Sequence, residues 1–273
     1  MKILEQLFSL KGKVIIVFGG GGQIGFELSK SCALAGAKVY IADYDVEQAE
    51  KKMVKIEEDE ISSQIEILQV DVCSETSVES IYQQIDKKSG QIDGIVNSFH
   101  FKGDSRNLDT KSSFFMDLED YPLDMWNKVH EVNLTGVFLT CREAISYFKK
   151  SHGGVIVNIS STYGNVSPNK TIYQGAGINS PVSYASSKAG IINLSRYFAT
   201  HLAEYNIRVN VLSPGGVFNS QDEEFVKEYS RLTPLNRMAN SDEYSGAVIY
   251  MLSNSASYLT GANIIVDGGW TSW

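Results

Sequence analysis

The stretch KVIIVFGGGGQIGFELSKSCALAG, residues 13–36, decides the fold of this 273-residue chain. Its run VIIVF is apolar and rich in β-branched side chains, which is typical of a strand buried on both faces. Glycines follow at once, and a helical pattern of apolar residues then continues to Gly36. A buried strand, a glycine turn and a helix in this order predict the first half of a βαβ unit.

The same alternation of strand and helix patterns continues to the end of the chain. Strands are predicted at seven places, residues 13–18, 38–42, 64–70, 92–98, 154–159, 207–212 and 263–266, and helices at residues 23–35, 46–59, 74–88, 123–150, 182–205 and 242–253. This pattern predicts an α/β Rossmann fold with a doubly wound, seven-stranded parallel sheet and helices on both faces. Because no linker, repeat or change in composition divides the chain, we expect a single domain over residues 1–273.

Composition and charge exclude several classes of function. The chain is 43% hydrophobic with a formal net charge of −8, and no run rich in Lys and Arg occurs, so neither nucleic acid nor an anionic membrane surface is an expected partner. No apolar run is long enough to cross a membrane, and residues 1–13 are too polar for a signal peptide. The three cysteines and four histidines are scattered, which argues against a disulfide framework or a metal site. We therefore expect a cytoplasmic protein without a metal.

The glycine run has the spacing of a dinucleotide-binding loop. Gly20, Gly22 and Gly25 fit the pattern GxGxxG, and the run lies between a strand and a helix, as that pattern requires. Glycines let the backbone approach a pyrophosphate, whose charge the helix N-terminus would then meet. Cofactor contacts are expected from Gly19, Gly22, Gln23, Ile24 and Gly25. The alternative is a flexible turn that binds nothing.

Two acidic residues follow the second and third predicted strands. Asp43 has the position of a carboxylate that accepts hydrogen bonds from the adenosine ribose 2′-hydroxyl. A carboxylate there would repel a 2′-phosphate, and neither Gly22 nor Tyr44 offers a cation, so NAD is expected rather than NADP. Asp43 could instead cap the following helix. Asp71, which Val72 follows, could receive the adenine amino group or equally be the N-cap of the next helix.

The stretch SYASSK, residues 183–188, places Tyr184 and Lys188 four residues apart at the start of a predicted helix. At positions i and i+4 the two side chains share one helical face. A fixed ammonium beside a phenol favours the ionised phenol, so the pKa of Tyr184 should fall from about 10 toward the working pH. Such a tyrosine is suited to proton transfer between a carbinol and a carbonyl. Tyr184 alone among the 14 tyrosines has a lysine four residues later.

Motifs along nearly the whole chain resemble the short-chain dehydrogenases/reductases, in particular their short, single-domain branch. They are NLTG at 133–136, VNISS at 157–161, YASSK at 184–188, RVN at 208–210, SPG at 213–215 and VDGG at 266–269. The resemblance implies that Tyr184 is the general acid/base and that Lys188 lowers its pKa and binds the nicotinamide ribose. It also implies that Ser161 holds the substrate oxygen and that Asn133 anchors a water linking Lys188 to solvent.

The resemblance extends to the nicotinamide side of the predicted cleft, where the chain also departs from the family pattern. Asn97 would shape that side, and Gly215 and Val217 would border the carboxamide. Gln23 replaces the middle glycine of the short-branch loop, and the usual Asn-Asn-Ala-Gly after the fourth strand reads NSFH, ending at His100. His100 could bind a polar substrate group or simply cap its loop.

Three segments near 102–121, 163–181 and 218–235 interrupt the alternation and are expected to be substrate loops, because long loops in compact domains commonly bind ligands. Segment 163–181 is longer than the short branch leads us to expect. Its neutral hydrogen-bonding groups and aromatics suit a polyhydroxylated ligand better than an acyl chain. This segment and the C-terminal WTSW make the chain similar to oxidoreductases of flagellin modification and surface-sugar pathways.

We therefore expect an NAD-dependent oxidoreductase of carbohydrate metabolism that transfers a hydride between nicotinamide and a secondary alcohol or ketone of a sugar or polyol derivative. A 3-oxoacyl-thioester ketone reductase is one alternative, although such enzymes usually prefer NADP. A catalytically silent NAD-binding sensor or scaffold is another. The resemblance also implies a homodimer or homotetramer formed through the helices 123–150 and 182–205, whose apolar residues could equally be core.

Overall fold

The seven predicted strands form one parallel sheet in the computed structural model, which describes residues 2–56, 61–101, 103, 112–173 and 179–273. They are β1 Val14–Phe18, β2 Lys38–Asp43, β3 Ile65–Gln69, β4 Gly94–Asn97, β5 Gly154–Ile159, β6 Ile207–Pro214 and β7 Asn263–Val266. The strand order is β3-β2-β1-β4-β5-β6-β7, and every neighbouring pair is parallel. The sheet thus grows outward in both directions from β1 and β4, which confirms the doubly wound Rossmann fold.

Helices cover both faces of this sheet. They are α1 Lys2–Phe8, α2 Gln23–Leu34, α3 Val46–Met53, α4 Glu75–Ser89, α5 Leu123–His130, α6 Gly136–Lys150, α7 Val182–Leu202, α8 Glu223–Leu232 and α9 Ser245–Leu252. One hydrophobic core joins the sheet to α4, α6 and α7, and the other joins it to α2, α3 and α9. Neighbouring residues of β1, such as Ile15 and Ile16, enter opposite cores, because successive strand side chains point to opposite faces.

The predicted helix over residues 123–150 is interrupted, and this corrects the sequence prediction. A π-helical turn, Glu131–Thr135, separates α5 from α6, and Asn133 lies at its centre. The Asn133 side chain bonds other elements: Oδ1 accepts a hydrogen bond from Phe101 N at 2.7 Å, and Nδ2 donates to Ser187 Oγ at 3.1 Å. These partners are distant in sequence, so the apolar periodicity of the helix could not indicate the interruption. π turns of this kind are frequent at functional sites.

In their described residues, the three segments expected to be loops contain helical turns and one helix that the sequence did not predict. Residues 218–235 include α8. Asp222 is the N-cap of this helix, and its side chain accepts hydrogen bonds from Glu224 N and Phe225 N. Segment 163–181 contains the turn Lys170–Tyr173 and packs against α8 through Tyr173 and Phe225, whose ring centroids are 5.7 Å apart. Residues 102, 104–111 and 174–178 of the predicted loops lie outside the described residues.

The apolar residues of α6 and α7 are mostly core. Phe148 and Ile191 are fully buried within the chain, whereas Phe138 keeps 38% of its surface exposed. The core alternative is therefore correct for most of these residues, and Phe138 is an exposed exception. Among the helices in the described ranges, none combines the length and apolarity needed to span a membrane.

A buried chain of polar side chains ties β4 and β5 to the helices that carry the site. Asn97 Nδ2 donates to Asn158 Oδ1 at 2.8 Å, and Asn158 Nδ2 donates to Ser195 Oγ on α7 at 2.9 Å. Thr140 Oγ1 on α6 donates to Asn97 Oδ1 at 2.9 Å. Because these buried polar groups serve as hydrogen-bond partners for one another, they fix β4 and β5 relative to α6 and α7.

Replacing Asn158 by alanine should lower the free energy of unfolding by about 2–3 kcal/mol, because Asn97 and Ser195 would each lose a buried partner. Urea unfolding followed by circular dichroism measures this change. The matched control is Asn127→Ala on the exposed surface of α5, which should change stability by less than about 0.5 kcal/mol. Equal effects of the two substitutions would show that the network does not stabilise the fold.

Candidate active site

Strand β5 and helix α7 bring the predicted catalytic side chains together. Ser161 follows the carboxyl end of β5, and its Oγ accepts a hydrogen bond from Tyr163 N at 3.1 Å. The Ser161 hydroxyl also lies close enough to the phenol of Tyr184, in the first turn of α7, to lower the pKa of that phenol. One turn later, Lys188 Nζ lies 5.6 Å from the centroid of the Tyr184 ring. Ser161, Tyr184 and Lys188 therefore form one cluster at the carboxyl edge of the sheet.

Lys188 is buried, with 2% of its surface exposed, and its Nζ donates to the carbonyl oxygen of Ile159 at 2.9 Å. Burial disfavours the charged amine and lowers its pKa to about 7. Near neutral pH this side chain can therefore gain or lose a proton, which an exposed lysine cannot do.

The expected lowering of the Tyr184 pKa is not found in this geometry. Burial raises the pKa of the phenol above its ordinary value, and the Ser161 hydroxyl acts in the opposite direction. The physical reason is that desolvation of the buried phenol outweighs the effect of Ser161, while the Lys188 amine bonds Ile159 O. Helical spacing put the two side chains on one face, as predicted, but spacing alone could not account for desolvation.

The loop after β4 forms a second wall of the site. Asn133 holds this loop through Phe101 N, and the exposed His100 ring lies edge-on to the Tyr184 ring, with 5.8 Å between centroids. His100 is thus beside the catalytic cluster. The Asn97 side chain is 1% exposed, and its amide bonds Asn158 in the buried network.

Three further phenols lie near Tyr184. The hydroxyls of Tyr163 and Tyr173 hydrogen-bond each other at 2.9 Å, and Tyr229 of α8 stacks on Trp270 with 4.3 Å between ring centroids. Burial raises the pKa of all three phenols, and their proximity to Tyr184 raises it further. Sequence reasoning missed Tyr229, because residues 218–235 are expected to be a loop. The apolar spacing of Phe225, Tyr229 and Leu232 was the available signal for α8.

The glycine loop has the close backbone contacts expected of a nucleotide-binding turn. Gly19 has a φ of +73°, and a Cβ on Gly25 would lie 2.1 Å from Gly19 O, so both positions require glycine. Helix α2 begins at Gln23, and no side chain in the described ranges caps its N-terminus at Gly22. Such an end suits an anion. The Gln23 side chain reaches across the cleft and donates to Phe218 O at 2.8 Å.

Asp43 lies directly against this loop. Its Oδ2 accepts from Gly21 N at 2.8 Å, and its Oδ1 accepts from Asp45 N at 2.9 Å. The cap of α3 is Asp45, which accepts from Gln48 N, so the capping alternative for Asp43 is wrong. Burial raises the pKa of the Asp43 carboxyl, while its backbone hydrogen bonds act against that rise.

Lys52 is a functional candidate that sequence reasoning did not identify. It lies in α3, and its Nζ donates to Gly21 O at 2.8 Å and to Gly22 O at 2.7 Å. A cation therefore does lie at the loop, although the residues next to Asp43 in sequence offer none. Only the packing of α3 beside the first βα turn brings this side chain there.

The remaining predicted cofactor residues lie along the same edge of the sheet. Asp71 Oδ1 accepts from Cys73 N at 2.9 Å, and Ser74 is the N-cap of α4, so Asp71 is not that cap. Tyr44 is 73% exposed beside the end of β2. Val72 lies against Gly136, where a Cβ would come within 3.1 Å of Val72 Cγ2.

Beyond β6, the backbone at Gly215 approaches the segment after β7. A Cβ on Gly215 would lie 2.8 Å from the Cα of Asp267, and Gly215 O accepts from Tyr244 Oη at 3.1 Å. Val217 pairs with Ala239 in an isolated parallel bridge. Glycine is therefore required at position 215 for packing. Val217 immediately precedes Phe218, whose carbonyl oxygen accepts the hydrogen bond from Gln23.

Taken together, these residues fit a dinucleotide. The glycine-only turn and the helix N-terminus suit a pyrophosphate, Asp43 suits an adenosine ribose, and Lys188 and Tyr184 stand at the same sheet edge for the reacting end.

The stability of the wild type relative to Lys188→Met should increase with pH between about 7 and 10. In this interval Lys188 is mostly neutral when folded, whereas in the unfolded chain it stays protonated to about pH 10.4. The unfolded wild type then binds one more proton, so its free energy of unfolding rises, relative to the variant, by about 1.4 kcal/mol per pH unit. Urea unfolding at pH 7, 8 and 9 tests this slope. A difference independent of pH would mean that Lys188 titrates like an exposed lysine.

Comparison with known proteins gives likenesses over almost the whole chain. A family profile described as enoyl-(acyl carrier protein) reductase matches residues 21–271. The post-translational flagellin modification protein A of Campylobacter coli is 29% identical over 96% of this chain and 99% of its own length. Sorbose reductase of Candida albicans is 32% identical over 97% of this chain and 89% of its own length.

A solved structure agrees with these likenesses. The crystal structure of a short-chain dehydrogenase from Leptospira borgpetersenii with bound NAD+ has a TM-score of 0.82 to this protein at 32% identity, and the match covers 98% of this chain and 95% of that one. The profile spans most of the chain, and the fold and site geometry agree with it. The protein therefore belongs to the short-chain dehydrogenase/reductase family of nicotinamide-dependent oxidoreductases.

Proposed function

We propose that this protein is an NAD-dependent oxidoreductase that interconverts a secondary alcohol and a ketone on a sugar or polyol derivative. The observation that carries the proposal is the cluster in which Ser161 and buried Lys188 both lie beside Tyr184, with Lys188 Nζ 5.6 Å from the centroid of the Tyr184 ring. This cluster lies on the same sheet edge as the glycine loop and Asp43.

Each residue of the cluster has a separate role in proton transfer or in binding the substrate oxygen. Bound nicotinamide would accept a hydride from the carbinol carbon in oxidation or return it in reduction. Tyr184 takes the hydroxyl proton as the ketone forms, or donates it in the reverse direction. Ser161 holds the same substrate oxygen and stabilises the charge that develops on it. Lys188, with a pKa of about 7, can carry a proton to or from Tyr184 near neutral pH.

Asp43 supports NAD over NADP. Its carboxylate lies where β2 meets the glycine loop, and a 2′-phosphate brought to that point would meet a like charge. A relative of known structure contains bound NAD+.

The substitution Asp43→Asn should raise the ratio of kcat/KM for NADP to that for NAD by roughly tenfold, equivalent to about 1.4 kcal/mol. Asparagine keeps an oxygen that can accept from Gly21 N but removes the charge. Steady-state kinetics with both cofactors gives the ratio. Asp45→Asn, the adjacent helix cap, is the control and should leave the ratio unchanged. An unchanged ratio for Asp43→Asn would show that this carboxylate does not select the cofactor.

The tyrosine wall supports a hydroxylated substrate. Tyr163, Tyr173 and Tyr229 lie near Tyr184 and combine phenol hydroxyls with aromatic faces. Sugar hydroxyls need directional partners once desolvated, and the C–H faces of a sugar pack on aromatic rings. The relative that is named as a sorbose reductase agrees with this class.

A 3-oxoacyl-thioester reductase is the second candidate, and the description of the matching family profile favours it. A panel of ketoses, polyols, sugar phosphates, 3-oxoacyl thioesters and apolar ketones, assayed by NADH absorbance, separates the two. We expect the highest kcat/KM for a polyhydroxylated substrate. Turnover confined to acyl thioesters or apolar ketones would replace the sugar proposal.

Tyr184→Phe should lower kcat by about 10²–10⁴-fold and leave the dissociation constant for NAD+ within about threefold, because phenylalanine keeps the ring and loses the acid/base. Stopped assays and fluorescence titration measure the two quantities. If the Tyr184→Phe variant binds NAD+ and performs the biological role as well as the wild type does, the protein is a silent sensor or scaffold.

Three broader features belong to the same proposal: a single domain over residues 1–273, a cytoplasmic location and assembly as a homodimer or homotetramer. The exposed Phe138 on α6, whose ring stacks on Phe198 of α7 with 6.3 Å between centroids, marks the face that would be buried between subunits. Light scattering on the purified protein measures the assembly.

A further inference from the structure

Lys52 makes an unusual pair of contacts for a helix side chain. Its ammonium donates to two consecutive carbonyl oxygens of the glycine loop, Gly21 O at 2.8 Å and Gly22 O at 2.7 Å. The side chain is half-buried, and its Nζ lies 5.5 Å from the centroid of the Phe26 ring in α2. Hydrogen bonds from a charged donor are stronger than those between neutral groups, so this contact holds the loop firmly.

The same loop is held from its other side by Asp43. Asp43 Oδ2 accepts from Gly21 N, so both backbone polar groups of Gly21 are bonded to charged side chains from different elements. A Cβ at this position would lie 2.9 Å from Asp43 Oδ2, so a larger residue there would displace the Asp43 carboxylate from the loop. Gly21 is therefore clamped between an anion from the end of β2 and a cation from α3.

This clamp sets the direction of the backbone that follows. Gly22 O also accepts from Phe26 N at 3.2 Å, in the first turn of α2. Because the C=O and N–H of a trans peptide point in opposite directions, directing Gly22 O toward Lys52 and Phe26 directs the N–H of Gln23 outward from the helix N-terminus. That is the direction in which helix N-termini bind anions.

We propose that Lys52 is a positioning residue that holds the glycine loop in the conformation that receives the pyrophosphate of the cofactor. The inference rests on the proposed function, because it assumes that a dinucleotide binds at this loop. With the loop ordered before binding, less conformational entropy is lost on association, and affinity for the cofactor is higher.

The test is Lys52→Met, which keeps the aliphatic stem over Phe26 and removes the donors. The dissociation constants for NAD+ and NADH, from fluorescence titration of the purified protein, should rise about tenfold. KM for NAD+ should rise in parallel, and kcat at saturating cofactor should change by less than about twofold. Lys52→Arg, which can bridge two carbonyls, should recover most of the affinity.

The matched control is Lys51→Met. Lys51 is the exposed neighbour of Lys52 on α3 and pairs with Glu47 at 2.6 Å, so this variant should bind cofactor like the wild type. If Lys52→Met does not fold, Lys52→Gln, which keeps one amide donor, takes its place. A lower melting temperature with unchanged cofactor affinity would overturn the inference, since Lys52 would then only attach α3 to the loop.

Equal losses of affinity in Lys51→Met and Lys52→Met would also overturn it, because a general loss of positive charge would then explain the effect. The proposed function fails in a different way. A wild-type protein that binds neither NAD+ nor NADP+ in the same titration would contradict dinucleotide binding itself, whichever residue occupies position 52.

Discussion

The hydrogen bond from Lys188 Nζ to Ile159 O is the interaction on which the rest of the site depends. It places an amine in the interior at the end of β5, where burial lowers its pKa to about 7. Burying such a group is costly unless it is hydrogen-bonded, and the bond to Ile159 O requires the end of β5 to stay in place. The network of Asn97, Asn158 and Ser195 holds it there by joining β4 and β5 to α7. The side chains proposed to be catalytic, which lie on neighbouring elements, are thereby held at fixed distances from one another.

The π turn around Asn133 also holds neighbouring elements of the site in place. A regular helix from α5 to α6 would direct the Asn133 side chain differently, and the turn lets it bond both Phe101 N and Ser187 Oγ. Ser187 precedes Lys188 on α7, so the loop after β4 and helix α7 are joined through the buried Asn133 amide. His100 is carried on this loop to the edge of the Tyr184 ring. The irregular backbone thus connects the loop that carries His100 to the helix that carries Tyr184 and Lys188.

The glycine loop is organised by charge as well as by the absence of side chains. Gly25 is required by a backbone contact that any Cβ would block. The conformation between Gly19 and Gly25 is then held by Asp43 and Lys52, which bond opposite sides of Gly21. In the same loop Gln23, which departs from the family pattern, bonds the backbone beyond β6. These contacts relate the cofactor half of the site to the segment that leads into α8 and the tyrosine wall.

The sequence alone predicted the doubly wound parallel sheet, the glycine turn and the pairing of Tyr184 with Lys188, because these depend on local periodicity, on turn chemistry and on helical spacing. Ser161 was assigned through the family resemblance. The sequence could not determine the interrupted helix at Asn133, the helix α8 carrying Tyr229, the cation Lys52 at the loop or the direction of the Tyr184 pKa. Each of these depends on desolvation or on contacts between residues far apart in the chain. Tertiary packing therefore decided how the predicted residues are charged, which partners hold them and what surrounds the substrate.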